Sequence, residues 1–280
     1  MSSAKEIQSI SKNLKASGKT VGFVPTMGYL HEGHLSLVRE SKKKCDVTIV
    51  SIFVNPTQFA PSEDFKSYPR NLEKDKKLLE VKEVDFLFLP EVNEIYPGNF
   101  QTYVNVEHIT QKLEGEFRPT HFRGVTTVVM ILLNSVHPNF VFFGQKDAQQ
   151  AAVIKQMVKD LKVDVEIVVC PIVRENDGLA LSSRNIYLSP EERKDSLVLY
   201  RSLELAKKII FSGERRVNVI LSEMNVLIRE VKSTKLDYIR IVESDSFELT
   251  DELVEGNEFY ILIACKIGRT RLIDNIRITV

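Results

Sequence analysis

The stretch "VGFVPTMGYLHEGHLSLV", Val21 to Val38, decides the fold of this 280-residue chain. Its first six residues are almost continuously apolar, which predicts a strand that is buried on both faces. Gly28 and Gly33 indicate a turn after that strand. A helix is predicted to begin near His34. A strand, a turn and a helix in this order are typical of the first half of a βαβ unit.

The same alternation continues through the first two thirds of the chain and predicts an open, mostly parallel sheet with helices on both faces. The predicted strands are Val21–Thr26, Val47–Asn55, Val84–Pro90, Phe140–Gln145 and Val165–Val173. The helices predicted between them are His34–Lys44, Asn71–Lys82, Phe122–Val136 and Asp147–Leu161.

The pattern changes after residue 185 and predicts a smaller α+β domain. In "SPEER", Ser189 is a suitable N-cap, Pro190 fits the first helical position, and Glu192 completes a capping box. Two helices, Pro190 to about Phe211 and Val217–Val231, precede three β-like runs, Leu236–Val242, Glu258–Ile267 and Arg271–Val280. We therefore predict one domain over residues 1–185 and a second over residues 186–280.

Charge and cysteine content restrict the class of protein. Lys plus Arg and Asp plus Glu both number 38, so no net positive charge favours nucleic acid or an anionic membrane as a partner. The 3 cysteines lack a CxxC pair and favour reduced thiols. The most apolar run, Val125–Val136, is too short to span a bilayer, and the N-terminus lacks the apolar core of a signal peptide. We expect a soluble, unprocessed cytoplasmic protein.

Three familiar motifs are absent or incomplete. Gly18-Lys19-Thr20 resembles the end of a P-loop, but the required first glycine is Asn13. The GxGxxG dinucleotide fingerprint is missing. "HEGH" places its histidines at i and i+3, whereas the zinc motif HExxH needs i and i+4. A zinc site is therefore disfavoured.

The opening stretch instead favours an anion. Ligands bind beyond the carboxyl ends of parallel strands, and a helix N-terminus there directs free N–H groups and a positive dipole outward. His31 and His34 would add donors and, if protonated, positive charge, since a nearby phosphate raises the pKa of an imidazole. The alternative is that one histidine caps the helix and the other packs. The combination of strand, glycine turn and paired histidines favours phosphate binding.

Polar residues follow three more predicted strands, as an active site at one sheet edge requires. Neutral amides would suit a small hydroxylated substrate, a lysine could pair with phosphate, and Asp147 could bind ribose or a magnesium-bound water. Surface-loop polarity is the alternative for each segment alone. The residues are Asn55 and Gln58, then Gly144, Lys146, Asp147 and Gln150, and finally Ser182, Ser183 and Arg184.

These segments together resemble the pantothenate synthetases, ATP-dependent ligases that join pantoate to β-alanine. HxGH alone would indicate only the wider adenylyl-transferring superfamily that includes class I tRNA synthetases. The more specific segments are "FVNPTQF", "YPRN", "RPTHFRGV", "FFGQKDAQQ", "DGLALSSRN" and "RLIDN". The resemblance covers nearly the whole chain and implies a Rossmann-like α/β domain, a smaller α+β domain that acts as a lid, and a homodimer.

The resemblance also implies roles for individual residues. His34 would be the catalytic histidine with His31 as its partner, Lys146 would assist catalysis, and Asp75 would help to bind Mg²⁺, unless it is only a solvated helix charge. The ATP-binding residues would be Met27, Gly28, His31, His34, Gly144, Lys146, Asp147, Val173, Leu181, Ser182, Ser183 and Arg184. Substrate would contact Pro25, Asn55, Gln58 and Gln150, with Arg118 and His121 near β-alanine.

Two residues depart from the family pattern. Ala60 stands where glycine often follows "QF", and Leu181 stands where methionine is common.

The implied reaction activates pantoate as an adenylate, releases pyrophosphate, and then transfers the pantoyl group to β-alanine with loss of AMP. Two alternatives stay open: another nucleotidyltransferase of the same superfamily, and a non-catalytic ATP sensor.

Overall fold

A computed structural model describes residues 1–61 and 63–280 of the chain. It divides into two compact units along the chain. The first unit comprises Met1–Gln145 and Gln149–Pro171, and the second comprises Lys146–Ala148 and Ile172–Val280. The second unit thus already includes the loop before residue 185, where we placed the domain boundary. The functional division into residues 1–185 and 186–280 stays a prediction.

The first unit is built on a parallel sheet of 5 strands in the order β3-β2-β1-β4-β5. The strands are β1 (Val21–Thr26), β2 (Val47–Ile52), β3 (Phe86–Phe88), β4 (Phe140–Gly144) and β5 (Glu166–Cys170). β1 is central and pairs in parallel with both β2 and β4. The strand order therefore reverses beside β1, and the carboxyl end of β1 is where such sheets bind ligands.

Seven helices belong to this part of the described chain. Together with the parallel sheet, they confirm the predicted Rossmann-like fold class. They are α1 (Ala4–Ala16), α2 (Glu32–Lys44), α3 (Leu72–Val81), α4 (Val92–Ile95), α5 (Glu114–Phe117), α6 (His121–Val136) and α7 (Ala148–Asp160). Helix α6 and strands β1, β2 and β4 contribute to one apolar cluster, which contains Phe23, Ile49, Val129 and Val141. Leu35 and Val38 of α2 pack with Val24 and Val50 in another cluster.

Several predicted boundaries were wrong for local reasons. β2 ends at Ile52, not Asn55, because Asn55 instead caps the 3₁₀ turn Pro56–Gln58. β5 ends at Cys170, where Pro171 has no N–H to continue a ladder. Helix α1 was not predicted, although Ile7, Ile10 and Leu14 follow helical spacing.

The second unit contains an antiparallel sheet of 3 strands, β6 (Thr234–Glu243), β7 (Glu258–Ile267) and β8 (Thr270–Thr279), in that order. Its helices are α8 (Pro190–Asp195), α9 (Leu197–Phe211) and α10 (Val217–Arg229). The predicted capping box of Ser189 and Glu192 is present. The single helix predicted from Pro190 is interrupted at Ser196, whose hydroxyl donates to the carbonyl of Arg193 and so competes with the helical ladder.

Across the described residues, no helix is both long enough and apolar enough to cross a membrane.

Candidate active site

The turn after β1 requires glycine at position 28. Gly28 has a φ of +80°, and a Cβ there would lie 2.9 Å from Ile52 Cγ2 and 3.1 Å from Asp75 Oδ2. Its N–H donates to Thr26 Oγ1 at 3.2 Å. The backbone therefore folds back tightly at the carboxyl end of the central strand, which brings the next residues across the sheet edge.

Asp75 fixes the following residues of this turn. Its carboxylate accepts the N–H of Tyr29 at 2.8 Å and the N–H of Leu30 at 2.7 Å. The residue is only 1% exposed, so the alternative of a solvated helix charge was wrong. Both oxygens face backbone donors, which is the geometry of a residue that shapes the turn; its predicted part in binding Mg²⁺ stays a prediction.

His31 and His34 form a reciprocal cap at the start of α2. His31 Nδ1 accepts the N–H of Gly33 at 3.2 Å, and His34 Nδ1 accepts the N–H of His31 at 3.4 Å. His31 thus caps the helix, which was the alternative left open by the sequence. The two rings lie with centroids 4.1 Å apart.

This cap determines where the histidine protons lie. A ring nitrogen that accepts a hydrogen bond carries no proton, so each neutral ring carries its proton on Nε2. A second proton on either Nδ1 would break the cap. The arrangement therefore favours neutral Nε2–H donors at the helix start, rather than the cationic form that we considered from the sequence.

Asn55 and Gln58 lie at the carboxyl end of β2 and are both buried. Asn55 Nδ2 donates to Gln58 Oε1 at 3.2 Å and to the carbonyl of Gly124 at 3.0 Å. Gln58 Nε2 lies 2.8 Å from Met27 Sδ. Asn55 is 1% exposed, and its predicted contact with substrate stays a prediction.

Helix α6 approaches these residues closely because Gly124 has no side chain. A Cβ at this position would lie 2.5 Å from the carbonyl oxygen of Thr57 and 2.7 Å from Gln58 Cα. Real side chains do not tolerate such distances, so any larger residue would push α6 away from the 3₁₀ turn.

Arg118 and His121, predicted to lie near β-alanine, support the same turn from the other side. Arg118 donates to both carboxylate oxygens of Glu63, at 2.6 and 3.0 Å, and to the carbonyl of Gln58 at 3.3 Å. Burial raises the pKa of Glu63, but its hydrogen bond and charge pairing with Arg118 lower it more, so the pKa lies below its ordinary value. The carboxylate therefore offsets the charge of Arg118. The predicted contact of Arg118 and His121 with β-alanine stays a prediction.

His121 is held in one neutral tautomer. Its Nδ1 lies 3.0 Å from the carbonyl of Gln58 and its Nε2 lies 3.2 Å from Arg118 Nη1. A carbonyl only accepts and a guanidinium only donates, so Nδ1 carries the proton and Nε2 accepts. Burial, together with the nearby charge of Arg118, lowers the pKa of His121 to about 4. The ring is therefore neutral at physiological pH.

In the second unit, the segment from Leu181 to Arg184, predicted to bind ATP, forms hydrogen bonds with neighbouring parts of the chain. The N–H of Leu181 donates to the carbonyl of Val173 at 3.0 Å. Ser182 caps the 3₁₀ turn Ser183–Tyr187 by accepting the N–H of Arg184 at 3.2 Å. Leu181 fits this contact through its backbone, so the departure from methionine leaves the contact intact.

Lys146 and Asp147 follow β4 in the chain and group with the second unit. The side-chain amide of Asn275 donates to the carbonyl of Lys146 at 3.0 Å. The neighbouring Asp274 forms a bidentate pair with Arg174, at 2.6 and 2.9 Å. The "RLIDN" segment thus anchors the backbone of the predicted phosphate-binding lysine.

The structure brings together Met27, Asn55, Gln58 and the predicted β-alanine pair within the first unit. Pro25 lies in β1 opposite Ser51, and Gln150 lies half-buried in the first turn of α7. The sequence did not predict the roles of Glu63, Tyr96 and Asn275. Their respective partners, Arg118, Asn55 and Lys146, are remote in sequence. Ala60 has no positive φ and donates its N–H to Glu63 Oε2 at 3.0 Å, so alanine fits there without strain.

No group of three or more His, Cys, Asp or Glu side chains among the described residues has the geometry of a metal site. Mg²⁺ bound with a nucleotide needs few protein ligands, because phosphates and water supply most of its coordination. The side chain of Asp147 is 48% exposed, whereas Asp75 is buried; a contact of either residue with Mg²⁺ stays a prediction.

Comparisons with known proteins identify the family of the chain. A family model described as pantoate-beta-alanine ligase matches residues 1–277. The pantothenate synthetase of Caldicellulosiruptor bescii is 58% identical over 271 residues, which cover 97% of this chain and 95% of that protein. The chain belongs to the pantoate-beta-alanine ligase family. It is an ATP-dependent ligase that condenses pantoate with β-alanine.

Solved structures support the same assignment for the fold. The pantothenate synthetase of Thermus thermophilus superposes with a TM-score of 0.92 at 43% identity, over 99% of this chain and 98% of that one. The pantoate-beta-alanine ligase of Francisella tularensis, complexed with beta-gamma ATP and beta-alanine, gives a TM-score of 0.80 at 38% identity, over 99% of this chain and 96% of that one. The predicted family, fold class and activity are therefore confirmed.

Proposed function

We propose that the ligase works through a pantoyl adenylate and that Gln58 and Gln150 hold pantoate while the segment Met27–His34 contacts ATP. The single observation that carries this proposal is the 2.8 Å contact between Gln58 Nε2 and Met27 Sδ. It joins the segment predicted to bind nucleotide with the residue predicted to bind the acid. Adenylation needs those two ligands to be adjacent, since the carboxylate attacks the α-phosphorus directly.

In the first step, a pantoate carboxylate oxygen forms a bond to the α-phosphorus of ATP and pyrophosphate leaves. In the second step, the amine of β-alanine attacks the acyl carbon, the amide forms, and AMP leaves as the amine loses its proton. A free carboxylate is a poor electrophile, so the first step makes the second possible. The chain contributes mainly positioning and charge stabilisation to both steps.

His34, with His31 as its partner, would donate Nε2–H bonds to phosphate oxygens as negative charge develops. Lys146 would add a point charge, and Arg184, with Ser182 and Ser183, would add further donors. Gly144, Asp147, Val173 and Leu181 would contact nucleotide largely through backbone or ribose. Losing one well-placed donor of this kind costs about 10²–10³ in rate.

Mg²⁺ would accompany ATP and neutralise phosphate charge when bound. Asp147 is the carboxylate of this chain that we expect to hold one of its water ligands, with Asp75 as the weaker candidate. We also propose that the protein is a homodimer in the cytoplasm. Cytoplasmic location agrees with its three free cysteines, of which Cys170 and Cys265 are buried.

The test is product analysis with pantoate, β-alanine and Mg-ATP, omitting each in turn. Pyrophosphate release that needs pantoate but not β-alanine is expected, followed by AMP release when β-alanine is added. Pyrophosphate release that also requires β-alanine would overturn the adenylate order.

Variants on α7 test the pantoate assignment. Gln150→Ala should raise the KM for pantoate about tenfold, the usual effect of removing a substrate hydrogen bond. Gln156→Ala is the matched control, since Gln156 lies on the same helix but bonds to the exposed Asp160. If Gln150→Ala raised only the KM for ATP, the pocket would be wrongly assigned.

Lys146→Ala should slow single-turnover adenylate formation by at least about tenfold.

A further inference from the structure

The amide of Asn55 is fully occupied by protein groups. Besides its two donated bonds, Asn55 Oδ1 accepts from the N–H of Thr57 at 3.3 Å, from Thr57 Oγ1 at 3.0 Å and from Tyr96 Oη at 2.9 Å. The residue is 1% exposed. Asn55 therefore has no unused donor or acceptor to present to a ligand.

The orientation of this amide is fixed by backbone groups. The carbonyl of Gly124 can only accept, so it must face the Nδ2 side of Asn55; the N–H of Thr57 can only donate, so it must face Oδ1. Oxygen and nitrogen of an amide are otherwise difficult to distinguish. Here the two backbone partners settle the choice.

The orientation of the Asn55 amide determines the orientation of the Gln58 amide. The second Nδ2 hydrogen of Asn55 needs an acceptor, and Gln58 Oε1 supplies it at 3.2 Å. Gln58 Oε1 therefore faces Asn55, which leaves the Nε2 group on the side of Met27. A reversed Gln58 would place two NH₂ groups against each other.

Tyr96 completes the chain of contacts from helix α4, which it directly follows. Its hydroxyl bonds to Asn55 and lies 3.1 Å from Thr57 Oγ1. Its ring packs edge-on against Phe100, with centroids 5.0 Å apart. Burial raises the pKa of Tyr96, so the hydroxyl keeps its proton at physiological pH and can act as a donor to Asn55.

We propose that Asn55 and Tyr96 are positioning residues that fix the Gln58 amide so that its Nε2 group donates to an oxygen of pantoate. This inference rests on the proposed role of Gln58 as a pantoate ligand. It adds a specificity rule: the acid must present an acceptor, not a donor, to Gln58. Neither Asn55 nor Tyr96 needs to touch the substrate.

The experiment is a double-mutant cycle on the full-length ligase with steady-state kinetics for pantoate and ATP. Tyr96→Phe should raise the KM for pantoate about fivefold, as loss of one supporting hydrogen bond does, and leave the KM for ATP within about twofold. In a Gln58→Ala background the same change should have almost no effect on the KM for pantoate, because coupled residues are not additive. Tyr103→Phe is the matched control: that side chain is 44% exposed, and its ring packs against Phe100 and Arg123.

A change of polarity gives a second test. In Gln58→Glu, one carboxylate oxygen can still accept from Asn55, but the other presents an acceptor to pantoate. Gln58→Glu should therefore raise the KM for pantoate more than Gln58→Ala does. An equal or smaller effect would overturn the assignment of a donor.

The outcomes separate the two claims. If Gln58→Ala raises the KM for pantoate but Tyr96→Phe does not, or acts equally in both backgrounds, the positioning role is overturned and the pantoate site stands. If Gln58→Ala leaves the KM for pantoate unchanged, the proposed pantoate site is overturned, and the positioning role with it. Thermal unfolding of each variant identifies any loss of activity that follows from misfolding.

Discussion

Asp75 Oδ1 accepts the backbone N–H of Leu30 at 2.7 Å, which joins the first turn of α3 to the turn that leads into the paired histidines. The other carboxylate oxygen accepts the N–H of Tyr29 at 2.8 Å. Two buried charge-assisted bonds to adjacent backbone groups hold that turn in place. The placement of His31 and His34 therefore depends on a residue of another helix.

Removal of this carboxylate is expected to impair adenylation. Asp75→Ala leaves two buried N–H groups without partners, so the turn should shift and the single-turnover rate of pyrophosphate release should fall at least about tenfold. Asp75→Asn keeps one acceptor oxygen, so its rate of pyrophosphate release should lie between the rates of Asp75→Ala and the unmodified chain. Glu73→Ala is the control, because that side chain is 78% exposed and pairs with the neighbouring Lys76.

The magnesium dependence of the same variants distinguishes the two roles of Asp75. A residue that only shapes the turn should leave the Mg²⁺ concentration for half-maximal rate unchanged in Asp75→Asn. A rise of about tenfold or more in that concentration would instead indicate a magnesium ligand, and the turn-shaping role would not explain the loss.

The two ring nitrogens of His34 can be tested separately. In His34→Asn, the amide oxygen can replace Nδ1 as acceptor for the N–H of His31, but the Nε2–H donor is lost. We expect an intact helix start and a loss of about 10² in the rate of adenylate formation. His34→Gln keeps a donor near the position of Nε2 and should lose less. Equal losses in the two variants would contradict the assignment of Nε2 as the functional donor.

The buried pair of Arg174 and Asp274 should dominate the stability of the second unit. The side chains are 18% and 3% exposed, and Arg174 also donates to the carbonyl of Gly178 at 2.9 Å. Asp274→Ala leaves a largely buried guanidinium without its carboxylate and should cost about 3–5 kcal/mol of unfolding free energy. Urea unfolding measures this change.

An exposed pair in the same sheet provides the comparison. Glu258 and Arg277 are 41% and 46% exposed, so Glu258→Ala should cost less than about 1 kcal/mol. Similar costs for Glu258→Ala and Asp274→Ala would show that burial of the Arg174 pair adds nothing to stability.

The sequence predicted what depends on local pattern. β1 begins at Val21 and ends at Thr26 as predicted, because continuous apolar residues and a following turn are visible within a few positions. The capping box at Ser189 was predicted for the same reason. Each of these features is encoded within one element.

The arrangement of the site was less accessible to sequence reasoning. Glu63 and Arg118 are separated by 55 residues, and Asp75 and Leu30 by 45. No spacing rule links such pairs, since only the completed fold brings them together. Asn55 and Gln58 were both predicted to follow β2, but the five hydrogen-bonded contacts of the Asn55 amide could be found only from the structure.

The protonation of His121 makes a prediction about stability against pH. Its pKa is lowered from 6.5 to about 4 in the folded chain, so between these values the unfolded chain binds a proton that the folded chain does not. Stability conferred by this residue is therefore complete above pH 6.5 and is lost as the pH falls toward 4.

We expect the unfolding free energy of the transition that contains the first unit to fall by about 2 kcal/mol more between pH 7.5 and pH 5 in the unmodified chain than in His121→Asn. Asparagine can still donate from Nδ2 to the carbonyl of Gln58 but does not titrate, so it removes the proton linkage while keeping the contact. Urea unfolding at the two pH values measures the difference. His137, whose pKa is also lowered by burial and nearby lysines, is present in both proteins and cancels. Parallel pH dependences in the two proteins would mean that His121 is protonated in the folded chain at pH 5, and the lowered pKa would be wrong.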